Sequence, residues 1–157
     1  MNAWDLQLDL VRWQFFCTFT MGDHNGKCPP YSWFIKGWFS VIRDIEKTLS
    51  YAPKSLLWVL RVEHGELTQR THLHCLMAGL RRPHLNKSTC FFTMKAWEKH
   101  TRGIARVRTW EPGLDAVSYI TKPGNTYELG KFGLQTCEVT LSPAADKFLK
   151  LRAKLSR

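Results

Sequence analysis

The sequence lacks any apolar run long enough to cross a membrane, since no stretch of about 18 or more apolar residues occurs in it. No basic-then-apolar segment stands at the N-terminus, so we expect neither a secretory signal nor a membrane partner. The five cysteines are widely spaced and form no C-x-x-C pair. Their pattern argues against a disulfide framework and against a structural zinc site, and it indicates a reducing compartment.

Internal repeats, low-complexity segments and linkers are also absent, so a chain of 157 residues is expected to form one domain. Acidic residues are scarce, at 13 against 23 basic ones, which gives a formal net charge of +10. This excess favours a polyanionic partner, nucleic acid before an anionic membrane surface. Aromatic residues make up 13% of the chain and predict large buried or stacking surfaces.

Hydrophobic periodicity and turn residues predict an order of strand, helix, strand, strand, helix and strand, followed by further elements. The predicted ranges are strands over 13–20, 56–63, 71–79 and 103–110, helices over 32–49 and 88–100, then a helix over 114–122, a strand over 135–141 and a basic C-terminal helix. Ser32 and Ser142 are the predicted N-caps, with Pro143 as first helical residue. This order predicts an α+β fold of the ferredoxin-like, split βαβ type. Helices would cover one face of an antiparallel sheet, and the first and third strands would be central.

The predicted third strand carries two histidines separated by one leucine, His72-Leu73-His74. Side chains alternate between the faces of a strand, so His72 and His74 project from the same face, roughly 6–7 Å apart at Cα. At this separation both imidazoles can bind one metal ion. Two polar residues on a half-solvated strand are the alternative, and the rest of the sequence must decide between the two.

A metal ion needs more than two ligands, and a carboxylate on the neighbouring strand is the natural third. The predicted strands 56–63 and 71–79 have a short connection and should form a hairpin. If residue 63 pairs with residue 72, Glu63 and His72 share one face, whereas Glu66 in the connection is the competing ligand. Two imidazoles and a carboxylate leave positions open for water and substrate. This donor set favours a catalytic Mn²⁺ or Mg²⁺ over a structural ion.

The predicted helix over 114–122 carries a tyrosine on its polar side. Asp115, Tyr119 and Lys122 lie opposite the apolar stripe of this helix, so Tyr119 does not follow the pattern of a core aromatic. A phenol with a pKa of about 10 is a poor nucleophile at neutral pH, and a nearby ammonium favours the phenolate or holds a phosphate oxygen beside it. Tyr-x-x-Lys alone is common by chance, and its weight comes from following a His-x-His strand.

Arginines occur on the predicted strands and directly after the histidine strand. Arg81 and Arg82 form a basic turn that is a reasonable place for contact with phosphate. Arg61, Arg106 and Arg108 lie on strands, where their charges need solvent or a partner. For these three, contact with DNA and simple surface salt bridges both remain open.

Together these motifs resemble one enzyme family. Glu63, His72-Leu73-His74 and Tyr119-Ile120-Thr121-Lys122 are similar in order and spacing to the histidine–hydrophobic–histidine endonuclease (HUH) domain of rolling-circle replication initiator (Rep) proteins. The segment 16–20 resembles the first motif of that family. The segment 103–108 resembles members from plasmids and single-stranded DNA viruses.

The resemblance implies a central five-stranded sheet with a divalent metal site, Mn²⁺ or Mg²⁺, on the face free of helices. It implies that Glu63, His72 and His74 bind the metal. Tyr119 would attack the scissile phosphodiester and become linked to the 5′ phosphate, and Lys122 would orient the phosphate. The partner would be single-stranded DNA at an origin hairpin or nick site, with a host polymerase and helicase acting afterwards.

The similarity spans residues 13–124. No P-loop or second domain follows it, so residues 1–157 are expected to be a single endonuclease domain without a helicase. The family has members in bacterial plasmids and phages, which implies the cytoplasm, and in eukaryotic viruses, which implies the host nucleus. A conjugative relaxase and a small single-strand transposase are alternatives with the same chemistry. A non-catalytic nucleic-acid-binding module with the same sheet is an alternative from another class.

Overall fold

The fold is an antiparallel sheet of five strands with three helices, seen in a computed structural model that describes residues 8–64, 70–111, 113, 120 and 138–155. The strands are Phe15–Thr20 (β1), Leu57–His64 (β2), Thr71–Ala78 (β3), Ile104–Thr109 (β4) and Glu138–Leu141 (β5). The helices are Tyr31–Thr48 (α1), Lys87–Thr101 (α2) and Pro143–Leu155 (α3), with a 3₁₀ turn at Arg82–His84.

The strand order across the sheet is β4-β1-β3-β2-β5, and every neighbouring pair is antiparallel. β1 and β3 are therefore the inner pair, and the histidine strand β3 is hydrogen-bonded on both sides. The predicted α+β fold, with the first and third strands in the centre, is confirmed. Helix α1 connects β1 to β2, and helix α2 connects β3 to β4. The two strands of each pair run parallel with one antiparallel strand between them, as a split βαβ arrangement requires.

One face of the sheet packs on α1 and α2. Alternate residues of β1, namely Phe15, Cys17 and Phe19, point to this face and are fully buried. The ring centroid of Phe19 lies 5.3 Å from that of Trp38 on α1 and 4.5 Å from that of Trp97 on α2. Buried aromatic rings of this kind contribute strongly to the hydrophobic stabilisation of the core between the sheet and these two helices.

The opposite face is covered over part of its length by a second apolar cluster. Ala145 and Leu149, on the inner side of α3, are buried, and Leu149 packs in this cluster with Val59, Leu76 and Ile120. This cluster lies toward the start of β2 and the end of β3. The histidines lie toward the other end of β3, and neither belongs to the cluster.

Of the two N-caps predicted from the sequence, Ser142 is confirmed and Ser32 is wrong. Ser142 caps α3 as predicted, because its Oγ accepts a hydrogen bond from the amide of Ala145 at 3.0 Å. Ser32 does not cap α1. Helix α1 begins at Tyr31, and its N-cap is Pro30. Pro30 has an extended conformation (φ −67°, ψ 154°), and no side chain makes a cap hydrogen bond there. The carbonyl of Pro30 accepts from the amide of Trp33, so the first turn has already formed at Ser32.

Two predicted elements extend outside the described residues. Of the helix predicted over 114–122, Ile120 alone is described, and it is helical. The last strand, predicted from residue 135, is described from Glu138 onward. Among the described helices, none combines the length and the apolar character that a membrane crossing demands.

Candidate metal and nucleic-acid site

Two adjacent rows of side chains cross the sheet face that α1 and α2 leave uncovered. In the first row, Thr20 of β1 pairs with His72 of β3, which pairs with Glu63 of β2. In the second row, Thr18 pairs with His74, and His74 pairs with Arg61. Paired residues point to the same face, so both histidines and Glu63 share one surface. The register on which the Glu63 prediction depends is therefore confirmed, whereas its role as a metal ligand stays a prediction.

His74 is held at both ring nitrogens. Its Nε2 lies 3.1 Å from Oε2 of Glu63, and its Nδ1 lies 3.2 Å from Oγ1 of Thr18. The His74 residue is 6% exposed, whereas the Glu63 side chain is 37% exposed. The carboxylate therefore reaches from the solvent side to the more deeply buried imidazole.

Burial lowers the pKa of His74 below its ordinary value of 6.5. The carboxylate of Glu63 opposes this shift, and the charges of His72 and Arg61 add to it. The imidazole is thus neutral at pH 7, and its contact with Glu63 is a hydrogen bond and not an ion pair. A carboxylate only accepts, so Nε2–H donates to Glu63 and the Thr18 hydroxyl donates to Nδ1.

Glu63 and His74 fit a metal ion as two of its ligands. Donors about 2.1 Å from one ion, at angles of about 90–109°, lie about 3.0–3.4 Å apart, and Glu63 Oε2 and His74 Nε2 are 3.1 Å apart. The ring centroids of His72 and His74 are 6.4 Å apart, against about 4.5–5.5 Å for two imidazoles on one ion of this size. His72 therefore completes the donor set only after its side chain rotates.

Within the described ranges, no three His, Cys, Asp or Glu side chains are gathered tightly enough to hold an ion as they stand. The residue that is not in a ligand position is His72, because the donor atoms of Glu63 and His74 already have the separation of two ligands on one ion. Glu66, the competing third ligand, lies outside the described residues.

Arg61 differs from both readings of the sequence, because it is neither a surface salt-bridge residue nor an exposed DNA contact. It is 3% exposed, and its Nη1 donates to the carbonyl of Ile120 at 3.4 Å. Ile120 is itself fully buried. Tyr119 and Lys122, the predicted nucleophile and its neighbouring ammonium, lie outside the described residues.

Two arginines line the β4 edge of the same face. Arg106 pairs with Thr18 in the β4–β1 register, and Arg108 pairs with Phe16. Both arginines are exposed, and the guanidinium carbon of Arg108 lies 5.1 Å from the ring centroid of Phe16. The ring of Phe16 in turn stacks on that of His74 at a centroid distance of 6.2 Å. This edge therefore places positive charge and an aromatic ring directly beside the histidines.

Arg81 and Arg82 lie beyond the other end of β3, past Ala78, and so apart from the histidines. The guanidinium of Arg81 donates to the carbonyl of Leu49 at the end of α1 and covers the ring of Tyr51 at 4.6 Å. Arg81 thus has structural partners, while Arg82 is exposed at the start of the 3₁₀ turn. Contact of either with DNA stays a prediction.

Sequence reasoning missed the part played by Thr18. Strand alternation was the available signal, because Thr18 lies two residues from Thr20 and shares its face. Which histidine it would contact depends on the pairing of β1 with β3, which joins residues 56 positions apart in the sequence.

No protein-family model matches this chain, and no curated protein matches it. A search of solved structures found similarity to the N-terminal nuclease domain of the non-structural protein 1 of minute virus of mice. That domain is described as having a unique Zn²⁺ coordination in its active-site pocket and a novel mode of DNA recognition at the origin of replication. The match has 11% sequence identity and a TM-score of 0.36, and it covers 90% of this chain and 73% of that domain. A likeness this distant supports no inference about function.

Proposed function

We propose that this protein nicks and rejoins single-stranded DNA at a specific site, in a metal-dependent reaction that initiates rolling-circle replication. Residues 1–157 would act as one HUH endonuclease domain of the Rep type. The observation that carries the proposal is the convergence of Glu63, His72 and His74 on one face of two neighbouring strands. In that arrangement Glu63 and His74 already stand at the separation of two metal ligands.

The proposed reaction exchanges one phosphate ester for another. The phenolic oxygen of Tyr119 attacks the scissile phosphorus, the Tyr–O–P bond forms, and the bond from phosphorus to the 3′ oxygen breaks. The phenolic proton is lost, and the departing 3′ oxygen gains one to become a free 3′-OH. Because an ester bond is kept throughout, the same site can reverse the step and rejoin strands without an external energy source.

The chain's own residues would position the reacting groups. Glu63, His72 and His74 would hold a divalent ion, Mn²⁺ or Mg²⁺, which supplies Lewis-acid polarisation of the phosphate when bound. Thr18 holds the ring of His74 at Nδ1, and Glu63 holds it at Nε2 as long as no ion is bound. Lys122 would hold a phosphate oxygen beside the phenol and favour the phenolate form of Tyr119.

Support for Tyr119 as the nucleophile comes from Ile120, the residue that follows it in the sequence. The carbonyl of Ile120 accepts a hydrogen bond from Arg61, and Arg61 is the direct partner of His74 across the β2–β3 pair. The described residue nearest in sequence to the predicted nucleophile therefore contacts the row of side chains that contains a predicted metal ligand.

Support for DNA as the substrate comes from charge and from the β4 edge. The chain has a net charge of +10, and exposed Arg106 and Arg108 flank the histidines on the same face. Phosphate contacts of this kind supply much of the affinity for nucleic acids, and aromatic rings beside them stack unpaired bases. Arg81 and Arg82 are proposed as further contacts, outside the metal-binding rows.

The proposed product implies the later partners. A free 3′-OH is a primer, so a host polymerase and helicase would extend and unwind the nicked strand. The compartment would be the bacterial cytoplasm for a plasmid or phage protein and the nucleus for a protein of a eukaryotic virus.

The proposal is tested by incubating the protein with end-labelled single-stranded DNA that carries candidate origin hairpins, in Mn²⁺ or Mg²⁺. Wild type should form a protein–DNA adduct that survives denaturation, and Tyr119→Phe should form none. Tyr127→Phe is the matched control, because Tyr127 is the next tyrosine in the sequence and lies outside the predicted helix, and this variant should retain the adduct. Adduct formation by Tyr119→Phe at the wild-type level would show that another residue attacks.

The metal requirement is tested in the same assay. EDTA should abolish the adduct, and added Mn²⁺ should restore it. Glu63→Gln should reduce adduct formation far more than Glu66→Gln if Glu63 is the third ligand, and the reverse order would assign Glu66. Cleavage that persists in EDTA would exclude the metal mechanism, and DNA binding with no adduct on any substrate would favour the non-catalytic module.

The choice among the catalytic alternatives rests on the DNA that is cut. A Rep protein should cleave at its own replication origin. A conjugative relaxase should cleave at a transfer origin, and a single-strand transposase should cleave at the ends of a mobile element.

A further inference from the structure

A groove opens between α1 and α2, on the face of the sheet opposite to the metal-binding rows. Its volume is about 260 Å³, and its lining includes Met21, Trp33, Lys36, Gly37 and His100. Clefts that take drug-sized ligands have volumes of roughly 300–1,000 Å³. The groove therefore has room for one planar ring system and not for a longer segment of a polymer.

The groove lies beside the end of the sheet that carries His72. Thr20, the last residue of β1, is the direct strand partner of His72, so their Cα atoms are about 4.5–5.5 Å apart. Met21, which lines the groove, is the next residue of the chain. A DNA strand that left the metal-binding rows over the end of β1 would therefore reach the groove after a distance equal to about two residues of β1.

Trp33 supplies a flat surface that a base can stack on. Its residue is 40% exposed, although tryptophan is usually well covered in a folded domain. The imidazole of His24 packs against Trp33 edge-on, with ring centroids 5.1 Å apart and planes at 60°. Exposed aromatic rings beside positive charge are the typical platform for unpaired bases, since every base has a π face.

The charges around the groove are mostly positive. Lys36 lines it and is exposed, and Arg43 donates to Ser40, another lining residue, at 3.2 Å. The carboxylate of Asp44 lies beside the lining residue His100, and His100 and Lys99 contact it at 2.8 Å and 3.5 Å. The carboxylate of Asp44 is therefore already paired, so it would repel a phosphate at Lys36 less than an unpaired carboxylate would.

The floor of the groove is closely packed and is hydrogen-bonded to the end of β1. A Cβ on Gly37 would lie 2.6 Å from Cγ2 of Thr101 and 3.2 Å from the ring of Trp97, so only glycine permits this approach of α1 to α2. Trp97 Nε1 also donates to the carbonyl of Thr20 at 2.8 Å. The position of the groove is thus fixed relative to the strand that pairs with His72.

We propose that this groove binds one unpaired base of the single-stranded DNA that occupies the metal-binding face, stacked on Trp33 with the adjoining phosphate at Lys36. The inference rests on the proposed function and adds a second contact region on the other side of the sheet. In this proposal the groove helps to position the DNA strand and takes no part in the cleavage reaction itself.

The test measures binding of fluorescein-labelled oligothymidylates of 5 and 15 nucleotides by anisotropy. The protein is the Tyr119→Phe variant in EDTA, so that neither cleavage nor a metal ion is needed. Trp33→Ala should weaken binding of the 15-mer roughly 5- to 150-fold, the effect of losing one stacked base, and leave the 5-mer nearly unchanged. Phe39→Ala is the matched control, because Phe39 lies on the same helix, is 49% exposed and packs on Trp58 instead.

A second pair of variants guards against misfolding at Trp33. Lys36→Gln should reduce the salt dependence of 15-mer binding by about 0.7 in the slope of log K against log salt. Lys47→Gln, at an exposed lysine in the last turn of α1, should reduce it less. Equal effects of Trp33→Ala and Phe39→Ala, together with equal slopes for the two lysine variants, would overturn the proposal. So would a Trp33-dependent preference for oligouridylate RNA over DNA.

This result can be separated from that of the nicking assay. If wild type forms no covalent adduct but Trp33→Ala selectively weakens 15-mer binding, the groove binds DNA and the proposed catalytic function fails. If the adduct forms and the Trp33 and Phe39 variants bind alike, the function stands and the inference about the groove fails.

Discussion

Thr18 Oγ1 lies 3.2 Å from Nδ1 of His74, on the other side of the ring from Glu63. A hydroxyl can both donate and accept, so it can pair with Nδ1 in either neutral tautomer. In the metal-free protein Thr18 donates to Nδ1. If His74 held an ion through its other nitrogen, the ring proton would lie on Nδ1 and the Thr18 hydroxyl would accept it in a hydrogen bond. Thr18 is therefore a positioning residue that suits His74 with and without a metal.

Replacing Thr18 tests this relationship. Thr18→Val removes the partner of Nδ1 and should weaken Mn²⁺ binding about 10- to 100-fold, the usual effect of losing a residue that orients a ligating histidine. Thr18→Ser should restore most of the affinity. Thr20→Val is the matched control, since Thr20 donates to the carbonyl of Ile104 instead. Calorimetric titration with Mn²⁺ measures the affinities, and an equal loss in the Val and Ser variants would contradict the assignment.

The protonation of His74 gives a second prediction. In EDTA, an NMR titration should give His74 a pKa below 6.5, because burial disfavours the imidazolium. Glu63→Gln should lower that pKa further, since the carboxylate opposes the shift. A His74 pKa at or above 6.5 in the metal-free wild type would contradict the buried, neutral state.

The same shift sets the direction of a pH effect on stability. Between the folded pKa and 6.5 the unfolded chain binds more protons at His74, so the free energy of unfolding rises with pH through this window. The contribution is complete above 6.5 and is lost as the pH falls below it. Urea titrations of the metal-free protein from pH 7.5 downward should show this fall, and His74→Gln should flatten it.

The arginines of the β4 edge should contribute electrostatically to DNA binding. Arg106→Gln and Arg108→Gln should each weaken single-stranded DNA binding and reduce the slope of log K against log salt by about 0.7. Lys95→Gln serves as control, because Lys95 is an exposed lysine of α2 that pairs with Glu98 at 2.6 Å. Anisotropy over a range of salt concentrations measures the slopes, and slopes equal to that of the control would remove this edge from the binding surface.

Glu46 should contribute to stability and not to binding. It is 6% exposed, and its carboxylate accepts from the amides of Lys54, Ser55 and Leu56 at 2.8, 3.0 and 3.3 Å. Glu46→Gln places an amide donor against these donors and should lower the free energy of unfolding by about 1–3 kcal/mol. Glu98→Gln, at an exposed carboxylate, should change it by about 0.5 kcal/mol or less. Urea unfolding measures both, and equal stabilities would contradict the role of Glu46.

The sequence predicted the sheet because strand alternation and helix periodicity agree over most of this chain. The shared face of Glu63 and His72 was predicted only on the condition that residue 63 pairs with residue 72, and the pairing of β2 with β3 meets that condition. The contact of Thr18 with His74 could not be predicted, because it depends on the pairing of β1 with β3, which no local pattern encodes. The burial of Arg61 depended on Ile120, which follows it by 59 residues.

Other features could not be predicted for local reasons. Ser32 matches the preferred chemistry of an N-cap, yet α1 starts earlier because Pro30 already has the extended conformation that a cap needs. The sequence of the C-terminal helix is typical of a basic surface helix. Leu149 of this helix nevertheless packs on the second sheet face, at the apolar part of that face away from the histidines. No local pattern shows where that apolar part lies.

The central position of β3 has a consequence for motion. Its backbone pairs with β1 from His72 to Met77 and with β2 from Thr71 to Ala78. Amides in such a strand exchange with solvent chiefly when the entire sheet opens. His72 and His74 therefore stand on the slowest-exchanging backbone that we expect in the molecule. The rotation of the His72 side chain that would complete the donor set would therefore take place on a strand whose backbone rarely opens.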